Sequence, residues 1–392
     1  MEVVMKRLIY RPWLVSAALL LFLAVGTPSR AEDQSARLAE IPKAMLGFVE
    51  NRQISGAVTL VAKDGRVAQL EAVGLADVEG NRPMQKDSMF CIASMTKPVT
   101  ATALMILEDE GRLALSDPVS RYIPAFEKVK LDGKPPARPI TLFDLVTHTS
   151  GLGGSQQNQG TLAETVDALA ERPLQFEPGT KWQYSPGVTV CGRVVEVVAG
   201  MPFEEFLAER IFRPLGMKDT TFRPTPEQAK RVATLYQPGK DGQSIQRAEH
   251  WLNEISEDRS PNPSGGLFST AADLARFYQM ILNGGELDGQ RILSDATVRE
   301  MTRVRTGDLT TGFTPGNGWG LGWCIVREPQ GVTAMLSPGT FGHGGAFGTQ
   351  GWVDPQRKMI FVLMIQRTGF GNSDGADIRG MFQQLAVDAL CQ

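Results

Sequence analysis

The chain has 392 residues, of which 42% are hydrophobic and 21% are charged, and its formal net charge is -3. This composition is ordinary for a folded globular protein and excludes a fibrous or largely disordered chain. Without residues 1–31, which have the features of a removable leader, 36 basic and 42 acidic residues remain, a net charge of -6. Since the chain is mildly acidic and has no basic run, we expect no nucleic acid partner.

Residues 1–31 have the layout of a cleavable signal peptide. Three basic residues precede an apolar run over residues 13–26, and small residues stand before a cleavage point near Ala31. The apolar run has about 14 residues, fewer than the roughly 20 that span a bilayer. We therefore predict export to the periplasm or the medium of a bacterial cell, with no stable membrane insertion after cleavage.

The next segments predict a helix, a β-hairpin and a second helix. Residues 37–51 carry apolar side chains at helical spacing. Residues 56–62 and 66–74 are β-rich and flank an Asp-Gly pair, which is a hairpin signal because glycine tolerates the positive φ of a tight turn. Residues 98–110 form an apolar segment that stops at Gly111, as a helix with a glycine after its end would.

The middle of the chain, residues 115–305, is rich in proline, glycine and helix-like segments, namely 161–171, 188–199 and 203–211. Thr270 and Asp273 form a helix-capping pattern in which both side chains satisfy free N–H groups, so we give them a structural role. The β pattern then returns, and a helix closes the chain, over residues 320–327, 348–353, 358–365 and 378–390.

The order of these segments predicts an α/β fold. The two strand-bearing ends are each too small to bury a core alone. We therefore predict one discontinuous α/β domain, residues 32–114 plus 306–392, in which helices flank an antiparallel sheet. Residues 115–305 are predicted to be a mostly helical insertion.

The cysteines and histidines do not form a metal-binding pattern. Four cysteines are widely spaced, without a C-x-x-C pair or a Cys/His cluster, at Cys91, Cys191, Cys324 and Cys391. We interpret the first three as small buried side chains, because each stands next to apolar residues. We predict neither a metal nor an organic cofactor.

Ser94 and Lys97 form the S-x-x-K tetrad of the chain, at the start of the predicted helix 98–110. Residues three apart at a helix start share a face, so the lysine can lie beside the serine hydroxyl, and the positive helix end favours negative charge. The tetrad alone is weak, since the serine could also be a helix cap. A Ser-His-Asp hydrolase of the α/β type would need G-x-S-x-G, and this pentapeptide does not occur.

Five ordered motifs make the interpretation more specific. They are Ser94-Met95-Thr96-Lys97-Pro98, Thr141-Leu142-Phe143-Asp144-Leu145-Val146-Thr147-His148-Thr149-Ser150-Gly151-Leu152, Tyr184-Ser185-Pro186, Pro263-Ser264-Gly265-Gly266-Leu267 and Gly342-His343-Gly344-Gly345. In this order and spacing the chain resembles the class C β-lactamase-related serine hydrolases, which include the family VIII carboxylesterases and belong with the penicillin-binding proteins. The resemblance extends over about residues 54–365.

The resemblance implies a role for each matching position. Ser94 would be the nucleophile, with Lys97 and Tyr184 as its proton-transfer partners. In the implied mechanism, Lys97 as an ammonium keeps Tyr184 close to a phenolate, which accepts the Ser94 proton; whether Lys97 or Tyr184 is the base stays open. The backbone N–H groups of Ser94 and Ala346 would form the oxyanion hole.

The last motif implies a substrate-binding strand edge formed by His343, Gly344 and Gly345. His343 stands where β-lactamases have the lysine of K-T-G, and it either hydrogen-bonds the substrate or Tyr184, or orients the strand edge. His148 belongs to a motif that the resemblance marks as loop-forming, so we expect a structural role for it.

Two departures from the family pattern bear on the substrate. Pro186 replaces the asparagine of Tyr-x-Asn and has no polar side-chain atom, and His343 replaces a lysine. We therefore predict a small-molecule ester substrate, cleaved by an esterase or acyltransferase through an acyl-Ser94 intermediate. The alternatives are a β-lactamase or D-alanyl-D-alanine carboxypeptidase acting on amides of cell-wall peptides, and a non-catalytic penicillin-recognising protein.

Overall fold

The computed structural model describes residues 30–154, 157–241, 244–370 and 372–391. Most of the predicted signal peptide, residues 1–29, lies outside the described residues. Within the described ranges, no helix is long and apolar enough to cross a bilayer.

The helices of the described chain are α1 (Arg30–Leu38), α2 (Glu40–Glu50), α3 (Thr96–Asp109), α4 (Leu142–Val146), α5 (Leu162–Ala170), α6 (Gly187–Ala199), α7 (Phe203–Leu207), α8 (Arg213–Leu215), α9 (Pro226–Ala229), α10 (Ala271–Leu282), α11 (Asp295–Met301) and α12 (Asp377–Leu390). The strands are β1 (Gly56–Lys63), β2 (Arg66–Asp77), β3 (Arg82–Pro83), β4 (Phe90–Cys91), β5 (Tyr236–Pro238), β6 (Ile245–Arg247), β7 (Phe268–Ser269), β8 (Glu286–Leu287), β9 (Gln290–Arg291), β10 (Asn317–Trp319), β11 (Cys324–Val326), β12 (Phe341–Gly344), β13 (Gln350–Asp354) and β14 (Met359–Met364).

Eight strands form an antiparallel sheet in the order β10-β11-β12-β13-β14-β1-β2-β3. The predicted hairpin is confirmed: β1 and β2 are joined at Asp64 and Gly65, which have φ values of 50° and 77°. The two ends of the chain meet in this sheet, because β14 pairs with β1 from Val58 opposite Met364 to Lys63 opposite Met359. The predicted α/β fold with an antiparallel sheet and flanking helices is confirmed.

The centre of the sheet is buried on both faces. Alternate residues of β1 enter two cores, with Val58 and Leu60 in one and Val61 in the other. The first core also contains apolar residues of α3, α6 and α10, and the second contains those of α2 and α12. Helices therefore cover both faces, which explains why β14 is a continuous apolar run rather than an alternating one.

Helix α3 lies in the middle of the larger core. Its residues from Thr96 to Leu107 are all buried, and it packs against α6 and β12. It ends where the sequence predicts, before Gly111, whose φ of 67° is the left-handed conformation that glycine adopts without a steric penalty. The S-x-x-K tetrad is thus anchored to a helix that is enclosed on all sides.

The predicted helix over residues 37–51 is confirmed as α2 (Glu40–Glu50), but the chain breaks just before it, between α1 and α2. Pro42 has no N–H to donate to the carbonyl of Leu38, four residues earlier. That carbonyl instead accepts a hydrogen bond from Gln69 Nε2 at 2.6 Å. The break therefore ties the two helices to strand β2.

The predicted strand over residues 320–327 is confirmed only as β11 (Cys324–Val326), since the first part of that range is a tight turn that joins β10 to β11. Gly320 N–H donates to Trp323 O at 2.8 Å, and Gly322 has a φ of 77°. A Cβ at Gly322 would lie 2.5 Å from Ala101 Cβ, so the glycine lets this turn pack directly on α3.

The capping pattern at α10 is half confirmed. Thr270 Oγ1 accepts a hydrogen bond from Asp273 N at 3.2 Å, as expected. The Asp273 carboxylate, however, accepts from Asp219 N and Thr220 Oγ1 at 2.7 and 2.9 Å, because a neighbouring loop passes closer to it than the helix start does.

We expect Leu104→Ala in α3 to lower the free energy of unfolding by about 2–5 kcal/mol, because it leaves a cavity in the closed core. Leu104 is fully buried, whereas Leu46 on α2 is 42% exposed. The matched control, Leu46→Ala, should change stability by less than about 1 kcal/mol. Urea unfolding followed by circular dichroism measures both, and equal losses in the two variants would contradict this account of α3.

Candidate active site

Ser94 is presented by a constrained turn between β4 and α3. Strand β4 pairs with β7, and Ile92 N–H donates to Leu267 O at 2.9 Å. The next residue, Ala93, is fully buried and has a φ of 45°, which is unfavourable for a residue with a Cβ and stores backbone strain. The chain turns sharply there and places Ser94 in the short 3-10 turn, Ala93–Met95, that leads directly into the enclosed helix α3.

Lys97 is fully buried beside Ser94. Its Nζ lies 3.3 Å from Ser94 Oγ and 2.7 Å from the carbonyl oxygen of Ser264, and it is 4.6 Å from the centre of the Tyr184 ring. Burial lowers the pKa of Lys97 well below its usual range, because the ammonium form loses its hydration. The amine is therefore favoured, and it is within reach of the serine proton.

Tyr184 stands just before α6, where aromatic side chains hold its ring. The ring centres of His148 and Phe313 lie 4.6 and 5.0 Å from that of Tyr184. Burial raises the pKa of Tyr184, more than its hydrogen bond with Ser94 lowers it, and the Asp374 charge raises it further. This direction runs against the phenolate expected for Tyr184, because burial disfavours the charged form of the side chain.

His148 positions Tyr184. It has a φ of 59° and is fully buried, and its Nδ1 accepts a hydrogen bond from Ser185 N at 3.2 Å. Burial lowers the pKa of His148, so the ring stays neutral. It packs against the rings of Tyr184 and Trp319. This geometry matches the structural role expected from its motif.

His343 lies on β12 with a defined tautomer. Its Nδ1 is 2.6 Å from the carbonyl oxygen of Gly344, which can only accept, so Nδ1 donates and Nε2 carries the lone pair. Nε2 faces the Tyr184 hydroxyl at 3.5 Å. Burial is the main cause that lowers the pKa of His343 to about 3, so the ring is neutral over the working range of pH.

The end of β12 approaches the Ser94 turn closely. A Cβ at Gly345 would lie 2.5 Å from Ile92 O and 2.1 Å from Thr349 Oγ1, and Thr349 Oγ1 donates to Ile92 O at 3.2 Å. The next residue, Ala346, is exposed to the same cavity as Ser94, and among the described residues no acceptor takes its N–H. The two N–H groups predicted for the oxyanion hole thus lie on facing backbones.

Ser94 opens into a cavity of about 240 Å³. Its lining includes the predicted residues and several more, namely Ser94, Tyr184, Phe313, His343, Gly344, Gly345, Ala346, Phe370, Asn372, Ser373 and Asp374. Asp374 was missed by the sequence analysis, because Asn372-Ser373-Asp374 ahead of α12 has the pattern of an ordinary helix cap. Phe313 and Phe370 were missed because they stand in loops without periodicity.

A larger cavity of about 1000 Å³ lies elsewhere and does not contain Ser94, Lys97, Tyr184 or His343. Two ion pairs line it, Arg138 with Asp144 at 2.6 Å and Arg305 with Glu300, and the Glu108 carboxylate accepts a hydrogen bond from Leu115 N at 3.0 Å. In the described part of the chain, no group of His, Cys, Asp and Glu side chains is arranged to hold a metal ion.

The directions of these pKa shifts predict the pH dependence of Ser94 reactivity. The rate of Ser94 phosphonylation by a fluorophosphonate should fall as the pH decreases through the lowered pKa of Lys97, since the protonated amine cannot accept the serine proton. His343→Asn should leave this acid limb at the same pH, because the pKa of His343 is about 3. A limb that moves with His343→Asn would assign the titration to the histidine instead.

Gly345→Ala should slow phosphonylation by roughly 10²–10³-fold, the usual loss when an oxyanion donor is displaced. The added methyl group would push the Ala346 N–H away from Ser94, because Ile92 O and Thr349 Oγ1 leave no room for it. Gly47→Ala on α2 is the control, since a Cβ there meets nothing within 4 Å. A folded Gly345→Ala protein that reacts at the wild-type rate would remove Ala346 from the site.

Comparison with known proteins places this site in a family. The beta-lactamase family model matches residues 41–386. The chain is 36% identical over 348 residues to the uncharacterized protein MT1414 of Mycobacterium tuberculosis, covering 80% of this chain and 86% of that protein. It is 32% identical over 363 residues to the esterase EstB of Burkholderia gladioli, covering 83% of this chain and 89% of EstB.

A penicillin-binding protein and a solved hydrolase structure are also similar to this chain. Penicillin-binding protein 4 of Amycolatopsis lactamdurans is 34% identical over 304 residues, covering 76% of each protein. Among solved structures, EstCE1, described as a hydrolase with promiscuous acyltransferase activity, has a TM-score of 0.78 and 26% identity, covering 92% of this chain and 99% of that one. The chain belongs to the beta-lactamase family and is a serine hydrolase related to esterases and penicillin-binding proteins.

Proposed function

We propose that this enzyme cleaves compact carboxylic esters through an acyl-Ser94 intermediate. The observation that carries the proposal is the neutral, apolar-rimmed cavity over a serine whose Oγ lies 3.3 Å from a desolvated lysine amine. Among the described residues that line the cavity there is no arginine or lysine. Its volume of about 240 Å³ is near the small end of ligand sites, which favours small acyl and alcohol groups.

In the proposed reaction, Ser94 Oγ attacks the ester carbonyl carbon while Lys97 Nζ accepts the serine proton. The carbonyl oxygen becomes an oxyanion and accepts hydrogen bonds from the N–H groups of Ser94 and Ala346. Before the substrate binds, the Ser94 hydroxyl and the Lys97 amine are both neutral, so no buried ion pair has to be formed in the empty site. This makes the proton transfer from Ser94 to Lys97 favourable once the carbonyl is in place.

The tetrahedral intermediate then collapses, and the bond between the carbonyl carbon and the alcohol oxygen breaks. Tyr184 donates its hydroxyl proton to the departing alkoxide, and the proton held by Lys97 replaces it, which restores both groups. The raised pKa of Tyr184 suits this role, since a protonated phenol is the form that can donate. Water then attacks the acyl-enzyme by the same steps in reverse and releases the acid.

Three features favour esters over β-lactams and D-alanyl peptides. Both of those substrates carry a carboxylate, and the cavity offers it a neutral histidine rather than a lysine. Pro186 cannot hydrogen-bond an amide through its side chain. The similarity to EstB and EstCE1 supports the same choice, while the similarity to penicillin-binding protein 4 is the reason to test the peptidase alternative directly.

The wild-type enzyme should release nitrophenol rapidly from p-nitrophenyl acetate and butyrate, and more slowly from long-chain esters that exceed the cavity. Mass spectrometry after brief exposure should find the acyl group on the Ser94 peptide, and Ser94→Ala should abolish both signals. Nitrocefin and a D-alanyl-D-alanine peptide, assayed in parallel, should be turned over far more slowly. Rapid lactam or peptide turnover with weak ester cleavage would reverse the assignment.

A further inference from the structure

Phe313 is an exposed aromatic ring in the wall of the Ser94 cavity. It stands in the loop between α11 and β10, and 48% of its surface is exposed. A single exposed apolar side chain is ordinary on a protein surface, but this one adjoins the cavity of the nucleophile. The exposed part of the ring is therefore available to whatever group a substrate places beside Ser94.

The Phe313 ring is held through both its side chain and its main chain. Its centre lies 5.0 Å from that of Tyr184 and 6.2 Å from that of Trp182, at interplanar angles of 69° and 75°. Its carbonyl oxygen accepts a hydrogen bond from Asn372 Nδ2 at 2.6 Å, and Asn372 Oδ1 accepts from Asp374 N at 3.1 Å. The loop of Phe313 is thereby tied to the second loop that lines the cavity. A ring held in this way has its orientation set before a ligand binds.

Phe313 is the open end of an aromatic cluster whose other end is buried. Trp319 is only 1% exposed, and its ring centre lies 6.1 Å from that of Tyr184 and 5.4 Å from that of Trp182. Both of these rings contact Phe313 in turn. Tilted and edge-to-face arrangements stabilise aromatic pairs beyond the area that they bury. A ligand ring against the exposed part of Phe313 would extend the cluster by one more pair.

Phe370, the other phenyl ring of the cavity wall, already has a charged neighbour. Arg367 Cζ lies 4.5 Å from its ring centre, and a Cβ at Gly348 would lie 2.7 Å from Phe370 Cε2. Phe313 has aromatic neighbours instead, and no arginine or lysine is among the described residues that line the cavity. A neutral aromatic group is therefore the ligand chemistry that suits Phe313 best.

We propose that Phe313 is a specificity-determining residue, against which an aromatic ring of the ester packs while the ester carbonyl lies at Ser94. The inference rests on the proposed esterase function and names its substrate class, compact esters with an aromatic ring on the alcohol half or on the acyl half. A single ring is compatible with the cavity volume of about 240 Å³.

Two pairs of esters test this inference, because within each pair the ring is either aromatic or saturated. Benzyl acetate and cyclohexylmethyl acetate carry the ring on the alcohol half, and methyl phenylacetate and methyl cyclohexylacetate carry it on the acyl half. The saturated ring is at least as apolar as the aromatic ring, so burial of apolar area alone would not favour the aromatic ester. Each kcat/KM is divided by the rate constant of hydroxide-catalysed hydrolysis, which removes differences in intrinsic reactivity.

In at least one pair, the wild type should cleave the aromatic ester with a corrected kcat/KM about threefold to tenfold higher than that of the saturated ester. The pair that shows this preference identifies the half of the ester that meets Phe313. In Phe313→Leu the preference should fall below about twofold, because the ring is lost while the main-chain hydrogen bond with Asn372 can remain. Phe313→Tyr keeps the ring and should keep the wild-type preference.

The ratio within a pair separates this role from support of the Tyr184 ring, since loss of that support would slow both members of a pair alike. Phe143→Leu is the matched control. It removes the same ring from the larger cavity, where Arg305 Cζ lies 5.2 Å from the ring centre, and Phe143 does not line the Ser94 cavity. This control should keep the wild-type ratios. Titration of Ser94 with a fluorophosphonate gives the active fraction of each variant.

The inference is overturned if the wild type shows no preference in either pair, or if Phe313→Leu keeps the wild-type preference. If the leucine variant yields no active enzyme, Phe313→Met takes its place with the same expected loss. Cleavage of p-nitrophenyl acetate but of none of the four esters would overturn this inference alone. Failure to cleave any of the five compounds would overturn the esterase proposal, and this inference with it.

Discussion

The removal of the Lys97 amino group from water is the constraint on which the catalytic arrangement depends. An ammonium ion in that position would lose its hydration, so burial favours the neutral amine, which donates a hydrogen bond to the Ser264 carbonyl oxygen. The desolvation comes from the whole of α3 being enclosed, with the Gly322 turn packed against Ala101. Core packing therefore produces the base, and substitutions in α3 would alter chemistry and stability together.

A second constraint is the distance between β12 and the Ser94 turn. Ser94 and Ala346 are far apart in the chain, and they meet because β14 pairs with β1 and brings the last strands beside the start of α3. Gly345 then permits a backbone approach that a methyl group would prevent. On the facing backbone, Ala93 has a left-handed φ of 45°, which is a strained conformation for alanine. This conformation directs Ser94 toward the N–H group of Ala346.

Much of the fold can be predicted from the sequence, because the residue patterns that indicate it are local. The Asp-Gly hairpin, the apolar α3 that stops at Gly111 and the i, i+3 spacing of Ser94 and Lys97 each depend on neighbours in the chain. The nucleophile, lysine and tyrosine expected from the motifs are brought together by the structure. The division of the chain at residues 115 and 305 stays a prediction.

The features that escaped the sequence analysis depend on contacts between distant segments. Asp374 has the local pattern of a helix cap, and only the position of β12 makes it part of the cavity wall. The break at Leu38 depends on a hydrogen bond from Gln69, and the charge states of Lys97 and Tyr184 depend on burial that no motif encodes. These features depend on burial and on close contacts between segments that are distant in the chain, and local residue preferences do not reveal them.

Pro186 illustrates how the site keeps its chemistry while changing its preference. A polar side chain at position 186 could contact Lys97, and proline cannot. The buried Lys97 amine nevertheless has a hydrogen-bond acceptor, because the Ser264 carbonyl oxygen lies 2.7 Å from its Nζ. The Pro186 φ of -72° suits the start of α6, which carries Tyr184 into place, so the backbone gains a rigid entry to the helix. Pro186 therefore does not make the protein non-catalytic, because Lys97 keeps its contacts with Ser94 Oγ and the Ser264 carbonyl oxygen without that side chain. What the proline removes is a hydrogen-bonding partner for the substrate, so that discrimination between ligands falls to the polar side chains of the cavity wall, namely His343, Asn372, Ser373 and Asp374.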